Sequence, residues 1–508
     1  MTQAADRIFT GSEIHTLAGD GSDGSALDVP EDDDAAVAVR DGRIVRVGSA
    51  YEVGFLEGVE TDVVEFDGGV LLPGFIDAHT HMEVLGRRER GVDLGGVPSR
   101  SAAIERLSAA VESTEDDAKR PVLGYGYDES TWADDGVLEG SELDAVSERR
   151  PVIAWREDLH LVSVNTAARR RYDLPDGKPS GVLREADAEA VRAALSPDRT
   201  ETRRLLDAAI EYAHERGVTG VHDMVRNSEA PAVYRELAAG GDLELRVRLY
   251  YWRNHVDAIE ETGLLAEEGP FVRIGGIKTY TDGSIGARTA RLSEPYADAD
   301  TRGRWIVRPE ALGALTERVE ELGLPLAVHA IGDEAVAAAA ECLSGRTERH
   351  RIEHAELLGD LDPEALGVVA SMQPNFLRWA RDDGLYERRL GEERTRRSNR
   401  FADVLAADVP LAFGSDCMPL DPLYGIQEAV TAPEPGQRLD VTAAVRAYTT
   451  GGAYAAGDED ELGTIEAGKR ADVTVLDASP WDVPADSIAD IDVAATVVDG
   501  EVVYRNRS

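Results

Sequence analysis

Two histidines one residue apart, His79 and His81, close the apolar run VLLPGFIDAHTH (70–81). Residues i and i+2 of a strand point to one face, so both imidazoles are aimed the same way. Two neutral imidazoles at that spacing make half of a divalent-metal site, although His-x-His alone is a weak signal. Three further residues fall at the ends of similar runs: His329 in LPLAVHAIGD (324–333), His354 in HRIEHAEL (350–357) and Asp416, after Gly-Ser, in VPLAFGSDC (409–417). The chain has ten histidines. Four of them at strand ends beside an aspartate fit a metal centre better than core packing.

Lys278, in RIGGIKTYTDG (273–283), raises a different question, because the 54 basic residues include only four lysines, Lys119, Lys178, Lys278 and Lys469. A plain ammonium among metal-binding histidines would be repelled by the cation. If CO2 adds to its ε-nitrogen, the resulting carbamate is an anionic, two-oxygen bridge able to hold two metals. That chemistry needs a desolvated amine of lowered pKa, which lysine can supply and arginine cannot. The competing reading is a buried lysine paired with Asp282 or another carboxylate. Other residues carry weaker expectations. Asp77 fixes the strand-end loop, His222 and Asp223 make structural hydrogen bonds or take part in catalysis, and Cys417 is a small buried residue rather than a nucleophile. Tyr127, Trp132 and Trp379 are pocket aromatics or core, and ERRLGEERTRRSNR (387–400) is a solvated helix and loop.

The elements that must position these groups follow from the same runs. With GVTGVHDM (217–224), LRVRLYYW (245–252) and VVASMQPNF (368–376), the strand-like runs number eight, and the later intervals carry helical patterns such as 309–323 and 333–345. Repeated strand–helix units predict a parallel sheet, and eight predict a closed TIM (β/α)8 barrel, an α/β fold. The interval 83–216 is too long for one crossover and is expected to hold an inserted subdomain, with 151–158 as one of its own strands. The two ends look alike: AVAVRDGRIVRVGSA near the start turns at Asp41-Gly42 and ATVVDGEVVYRN near the end turns at Asp499-Gly500. Both are hairpin signals. They predict a composite β-sandwich from 1–70 and 462–508 around a barrel domain of 71–461.

Charge narrows the partners. The 508 residues carry 97 acidic against 54 basic side chains, a formal charge of −43, which disfavours nucleic acid and anionic membranes. No apolar run approaches the roughly 20 residues that cross a bilayer, no leader is read at the start, and two cysteines make no disulfide framework. A soluble, cytoplasmic protein is expected, with a small molecule as its partner and a homodimer left open. Acidic excess with arginine in place of lysine resembles the proteome style of salt-in halophiles, whose carboxylate surfaces stay hydrated at molar salt.

The segments PGFIDAHTH (73–81), GGIKTYTDGSIGARTA (275–290), VHAIGDEAV (328–336), HRIEHAE (350–356) and FGSDCMPLDPLYGI (413–426) resemble the amidohydrolase superfamily. More narrowly they resemble its family 3 branch, which includes N-substituted formamide deformylase and many metal-dependent hydrolases. The resemblance extends through GYGYDESTW (124–132), HLVSVNTAA (160–168) and GVLREA (181–186). It implies the TIM barrel, the β-sandwich and an insert between the first and second barrel strands. It also implies a metal site on His79, His81, His329, His354 and Asp416, with Lys278 at the position carboxylated in binuclear members. His160, in LHLVSVN where a glycine-led version is expected, is carried over as a substrate contact, and it joins Tyr127 and Trp379, read above as pocket aromatics, as the expected substrate-binding residues.

The expected function is hydrolysis of a carbon–nitrogen bond, in a non-peptide amide or formamide, by a metal-activated hydroxide. In that scheme His79, His81 and Asp416 hold one divalent cation, His329 and His354 a second, and carboxylated Lys278 bridges them. Zinc is the first expectation, although the same ligands suit manganese and iron. Asp416 shuttles the proton to the leaving nitrogen. The rivals are a mononuclear deaminase-like hydrolase with Lys278 unmodified, a phosphoesterase, and a non-catalytic metal-stabilised binding protein.

Overall fold

Eight short runs of mostly buried residues pair as parallel strands in the computed structural model, which describes residues 3–19, 26–27, 29–30, 34–113, 121–129, 132–133, 136–157, 161–174, 180–184, 186–263 and 269–506. They are β1 (Phe75–Thr80), β2 (Val218–Val225), β3 (Arg246–Trp252), β4 (Val272–Tyr280), β5 (Leu326–Ala330), β6 (Arg351–His354), β7 (Val369–Met372) and β8 (Leu411–Phe413). Each hydrogen-bonds to its neighbour in sequence, giving the order β8-β7-β6-β5-β4-β3-β2-β1. The ring returns on itself beyond β8, where Asp416 N–H donates to the His79 carbonyl at 2.7 Å. Gly414 permits that approach, because a Cβ there would lie 2.3 Å from His79 N. This is the expected TIM barrel. Its strands are covered on both faces, which is why they read as near-continuous apolar runs.

The helices between them carry ordinary start signals. Pro309–Glu321 opens with proline in its first turn, where a missing N–H costs nothing. Asp333–Leu343 opens with Asp333 and Glu334, whose charges suit the positive end of the helix dipole.

The run 70–81 proves to be two elements. Asp62–Pro73 belongs to another sheet and β1 begins only after Gly74. That second sheet is the one expected from the chain ends. It has seven strands, drawn from Arg7–Ile14, Ala35–Arg40, Arg43–Ser49, Asp62–Pro73, Val473–Leu476, Val493–Val498 and Glu501–Arg505. Both Asp-Gly turns have positive φ at each residue, 51° and 71° at Asp41-Gly42 and 53° and 83° at Asp499-Gly500, the conformation that tight hairpins demand. The sheet curls until its flanks meet. An isolated bridge joins Arg43 to Arg470, and Val37 and Val39 share one apolar core with Ala495 and Val497.

Buried arginine ties this sheet to the barrel. At the start of β3, Arg246 donates to Asp472 at 2.5 and 2.7 Å and to Asp499 at 2.8 Å. Arginine's planar fork satisfies a carboxylate with two bonds, which lysine cannot do. Replacing Arg246 with Met strands a buried aspartate. It is expected to lower unfolding stability by about 3–5 kcal/mol, read as a shift in denaturant midpoint at constant slope.

A separate compact unit comprises 82–209 and 228–233. It has its own five-stranded sheet, including Val122–Tyr127 and Val152–Arg156. Apolar residues of the unit form two clusters, one around Tyr127, Trp132 and Leu143 and the other around Trp155, Val162 and Val191. Among the described residues no helix is long and apolar enough to cross a membrane.

Candidate metal centre

The carboxyl ends of the barrel strands bring the six expected ligand residues into one neighbourhood. His79 ends β1 beside His81, with ring centroids 5.8 Å apart. Asp416 Oδ1 lies 3.3 Å from His81 Nε2 and 3.8 Å from His79 Nε2. The His354 ring is 4.9 Å from that of His79 and 4.5 Å from that of His329. From β4, Lys278 Nζ reaches to 3.4 Å from His79 Nε2. Among the described residues, His79, His354 and Asp416 offer donor atoms all within 4.8 Å of one another. That group cuts across the expected division into two metal sites.

Hydrogen bonds behind the rings decide which nitrogen is presented. His79 Nδ1 is 2.6 Å from Glu353 Oε2, His81 Nδ1 is 2.9 Å from the Met224 carbonyl, and His354 Nδ1 is 2.6 Å from Gln373 Oε1. Each acceptor fixes a proton on Nδ1 and turns Nε2 toward the centre, the nitrogen that a metal-binding imidazole presents. His329 is turned the other way, its Nε2 lying 3.2 Å from the Gly283 carbonyl, which leaves Nδ1. Four imidazoles, those of His79 and His354 buried and those of His81 and His329 partly exposed, form with one carboxylate and an amine a donor set suited to a borderline divalent cation.

The electrostatics agree. Burial pulls His79 down to about 4 and His329 to about 3, and it holds His354 well below the ordinary imidazole value. These three rings are neutral, the ligand form, at pH 7. His81 is also pulled down by burial, but its hydrogen bond and charge interaction with Asp416 win and raise it. Burial works to raise Asp416, yet the His81 hydrogen bond and the surrounding imidazoles hold it well below the usual carboxylate range. Burial draws the Lys278 ammonium down to about 8. Lys278 does not take up Asp282, whose oxygens accept N–H bonds from Arg291, Ile331 and Gly332 at 2.8, 3.1 and 2.9 Å.

Two of the candidate ligands are aimed by unusual backbone. His354 and Ala355 have φ of 73° and 46°, and Asp416 and Cys417 both have 50°. Such conformations cost non-glycine residues about 1–3 kcal/mol each and persist where surrounding structure imposes them. Along β6, alternation would place His354 on the same face as Ile352, opposite Arg351 and Glu353; the left-handed turn re-aims it. Asp77 acts as a brace, its Oδ1 accepting from His79 N at 3.0 Å and Ser415 N at 3.1 Å.

A model of the amidohydrolase family matches residues 62–504. The chain belongs to that family. Over 98% of its length it is 30% identical to YtcJ of Bacillus subtilis, covering 99% of that protein. It is 25% identical to the N-substituted formamide deformylase of Arthrobacter pascens, over 99% of each. A metal-dependent hydrolase from Pyrococcus furiosus of known structure superposes with a TM-score of 0.79 at 30% identity, over 94% of this chain and all 100% of that one.

For this amidohydrolase the remaining expected residues divide. Trp379 sits beside the centre: Phe376 stacks on His354 at 6.0 Å and Trp379 lies 4.8 Å beyond it. Tyr127 is buried in the core of the separate unit, stacked on Trp132 at 5.5 Å with its hydroxyl 3.3 Å from Ser163 Oγ. That placement accounts for it as packing. His160 lies outside the described residues. Sequence reasoning passed over Arg351, Glu353 and Gln373, which back the ligand shell. For Arg351 and Glu353 the available signal was two charges at i and i+2 inside a short buried strand.

Proposed function

We propose that this chain hydrolyses a carbon–nitrogen bond in a non-peptide amide, formamides included, with divalent metal held by His79, His81, His329, His354 and Asp416. The observation that supports this reading best is the seat of Asp416, whose carboxylate lies 3.3 and 3.8 Å from the Nε2 atoms of His81 and His79 and, against the effect of burial, is kept ionised chiefly by the His81 hydrogen bond. These residues would hold a divalent ion, zinc first, which when bound would supply a Lewis acid for the carbonyl and a water of pKa about 7. Asp416 is the group placed to take the proton from the attacking water and return it to the leaving nitrogen. His79 and His354 stay neutral and oriented by their Nδ1 bonds, so they do not compete for that proton. Phe376 and Trp379 supply an apolar wall for the substrate beside His354.

A panel of amides, formamides and phosphate esters, tested on metal-loaded protein, decides the reaction class. Turnover of at least one amide is expected, and hydrolysis of phosphate esters alone would reject the proposal. A second, mononuclear reading has one observation in its favour, the compact His79–His354–Asp416 group.

The charge balance also leads to a proposal about conditions. With 97 acidic and 54 basic residues, self-repulsion is large in dilute buffer and screened at molar salt, where the Debye length is about 3 Å. The thermal midpoint is expected to rise from about 0.1 M to about 2 M KCl. A flat or falling midpoint removes the halophile assignment.

A further inference from the structure

Beneath the candidate metal centre lies a buried arginine to which the proposed reaction gives no part. Arg351, at the start of β6, is fully enclosed within the barrel. All five of its N–H groups have acceptors. Nε donates to Glu353 Oε1, Nη1 to His222 Nδ1 at 2.8 Å and to the Tyr250 hydroxyl at 3.1 Å, and Nη2 to the Ala78 carbonyl, Glu353 Oε2 at 3.0 Å and Ser371 Oγ at 2.8 Å. The acceptors come from β1, β2, β3, β6 and β7. Glu353 in turn uses Oε2 to hold His79 Nδ1 at 2.6 Å.

We infer that Arg351 is a positioning residue for His79, gripping the strand at the Ala78 carbonyl and the imidazole through Glu353. The inference rests on the metal-site reading given above. Its physical basis is that a buried polar side chain stays in one place only where hydrogen bonds hold it there. The bidentate guanidinium holds the Glu353 carboxylate in one orientation, and an acceptor in a fixed place orients the His79 ring through Nδ1. Nε2 is thereby left toward Asp416 and Lys278. The grip on Ala78 adds backbone control one residue before the ligand. His222 is assigned by the same geometry: its Nδ1 accepts from Arg351, so its ring is neutral and serves the arginine rather than the substrate.

The test is a Co(II) titration of the full-length chain against a competing chelator, followed by the visible spectrum of bound Co(II), with thermal unfolding run in parallel. Glu353→Gln and Arg351→Lys are each expected to weaken Co(II) binding by about 10–100-fold and to alter the spectrum. The double variant should be no weaker than the worse single, because both act on one path. Asp458→Asn, which breaks the buried pair with Arg248, is the stability control and should lower the midpoint without weakening Co(II) binding. Wild-type affinity in Arg351→Lys, losses that multiply in the double variant, or an equal loss in the control would each overturn the inference. If the lysine variant does not fold, Tyr250→Phe with Ser371→Ala replaces it. That pair strips two acceptors while keeping the charge, and it must weaken Co(II) binding too. A wild type that binds no Co(II) rejects the metal reading and this inference together, whereas unaffected variants of a Co(II)-binding wild type reject only the inference.

A metal-free readout completes it. The proton between His79 Nδ1 and Glu353 should resonate far downfield of the backbone amides and vanish in Glu353→Gln. A spectrum unchanged by that substitution counts against the relay.

Discussion

Asp416→Asn is expected to lower turnover of the best amide substrate by about 10²–10⁴-fold, the usual worth of a placed general acid–base group. The amide keeps the size and one oxygen of the carboxylate, so metal content should stay close to wild type. What it loses is the capacity to accept and return a proton. The substitution also removes a partly exposed negative charge that raises His81, so that ring becomes neutral over a wider pH range and its ligand capacity is not lost. Turnover and metal content must therefore separate. The measurement is kcat and KM on one metal-quantified preparation of each protein. A drop in kcat at constant metal is the expected outcome, whereas undiminished kcat would remove Asp416 from proton transfer. Loss of metal in proportion to activity would make it a ligand alone.

How much of this centre was legible depends on what kind of contact placed each residue. His79 and His81 could be read because period-two alternation is local, and the structure sets their rings 5.8 Å apart. His354 could be read as a strand-end histidine but not as a residue aimed at the centre. Its direction comes from a φ of 73°, for which the residues Glu-His-Ala give no local cue. Glu353 was hidden for another reason. Its role exists only through Arg351 within its own strand and His79 on another, and a partner far away in sequence leaves no trace in spacing. The same contrast holds for the fold. Asp41-Gly42 and Asp499-Gly500 announce their turns locally, but the meeting of Arg43 with Arg470 is a long-range pairing. The 70–81 run was read as one strand because apolar character continues through it, whereas Pro73-Gly74 ends one sheet and starts the other.

Lys278 carries the second large expectation. Lys278→Met keeps the length and apolar body of the side chain and deletes the amine. If the lysine is carboxylated and bridges, the second equivalent of metal should be lost, with a fall in kcat of about 10²–10³-fold, the several kcal/mol that a second Lewis acid contributes. The wild-type chain should then take up that second equivalent only when bicarbonate is supplied. The pH dependence follows from the amine. CO2 adds to the neutral form, and burial brings the lysine down to about 8, so the reactive fraction is small at pH 6 and dominant above about pH 8. Second-metal loading at fixed dissolved CO2 should rise across that window and fade as acid protonates the amine. A mononuclear hydrolase behaves otherwise. Its metal content ignores bicarbonate, and Lys278→Met leaves a single equivalent bound in the His79–His354–Asp416 group. Metal per chain, measured in both proteins with and without bicarbonate, separates the two schemes even before a substrate is found.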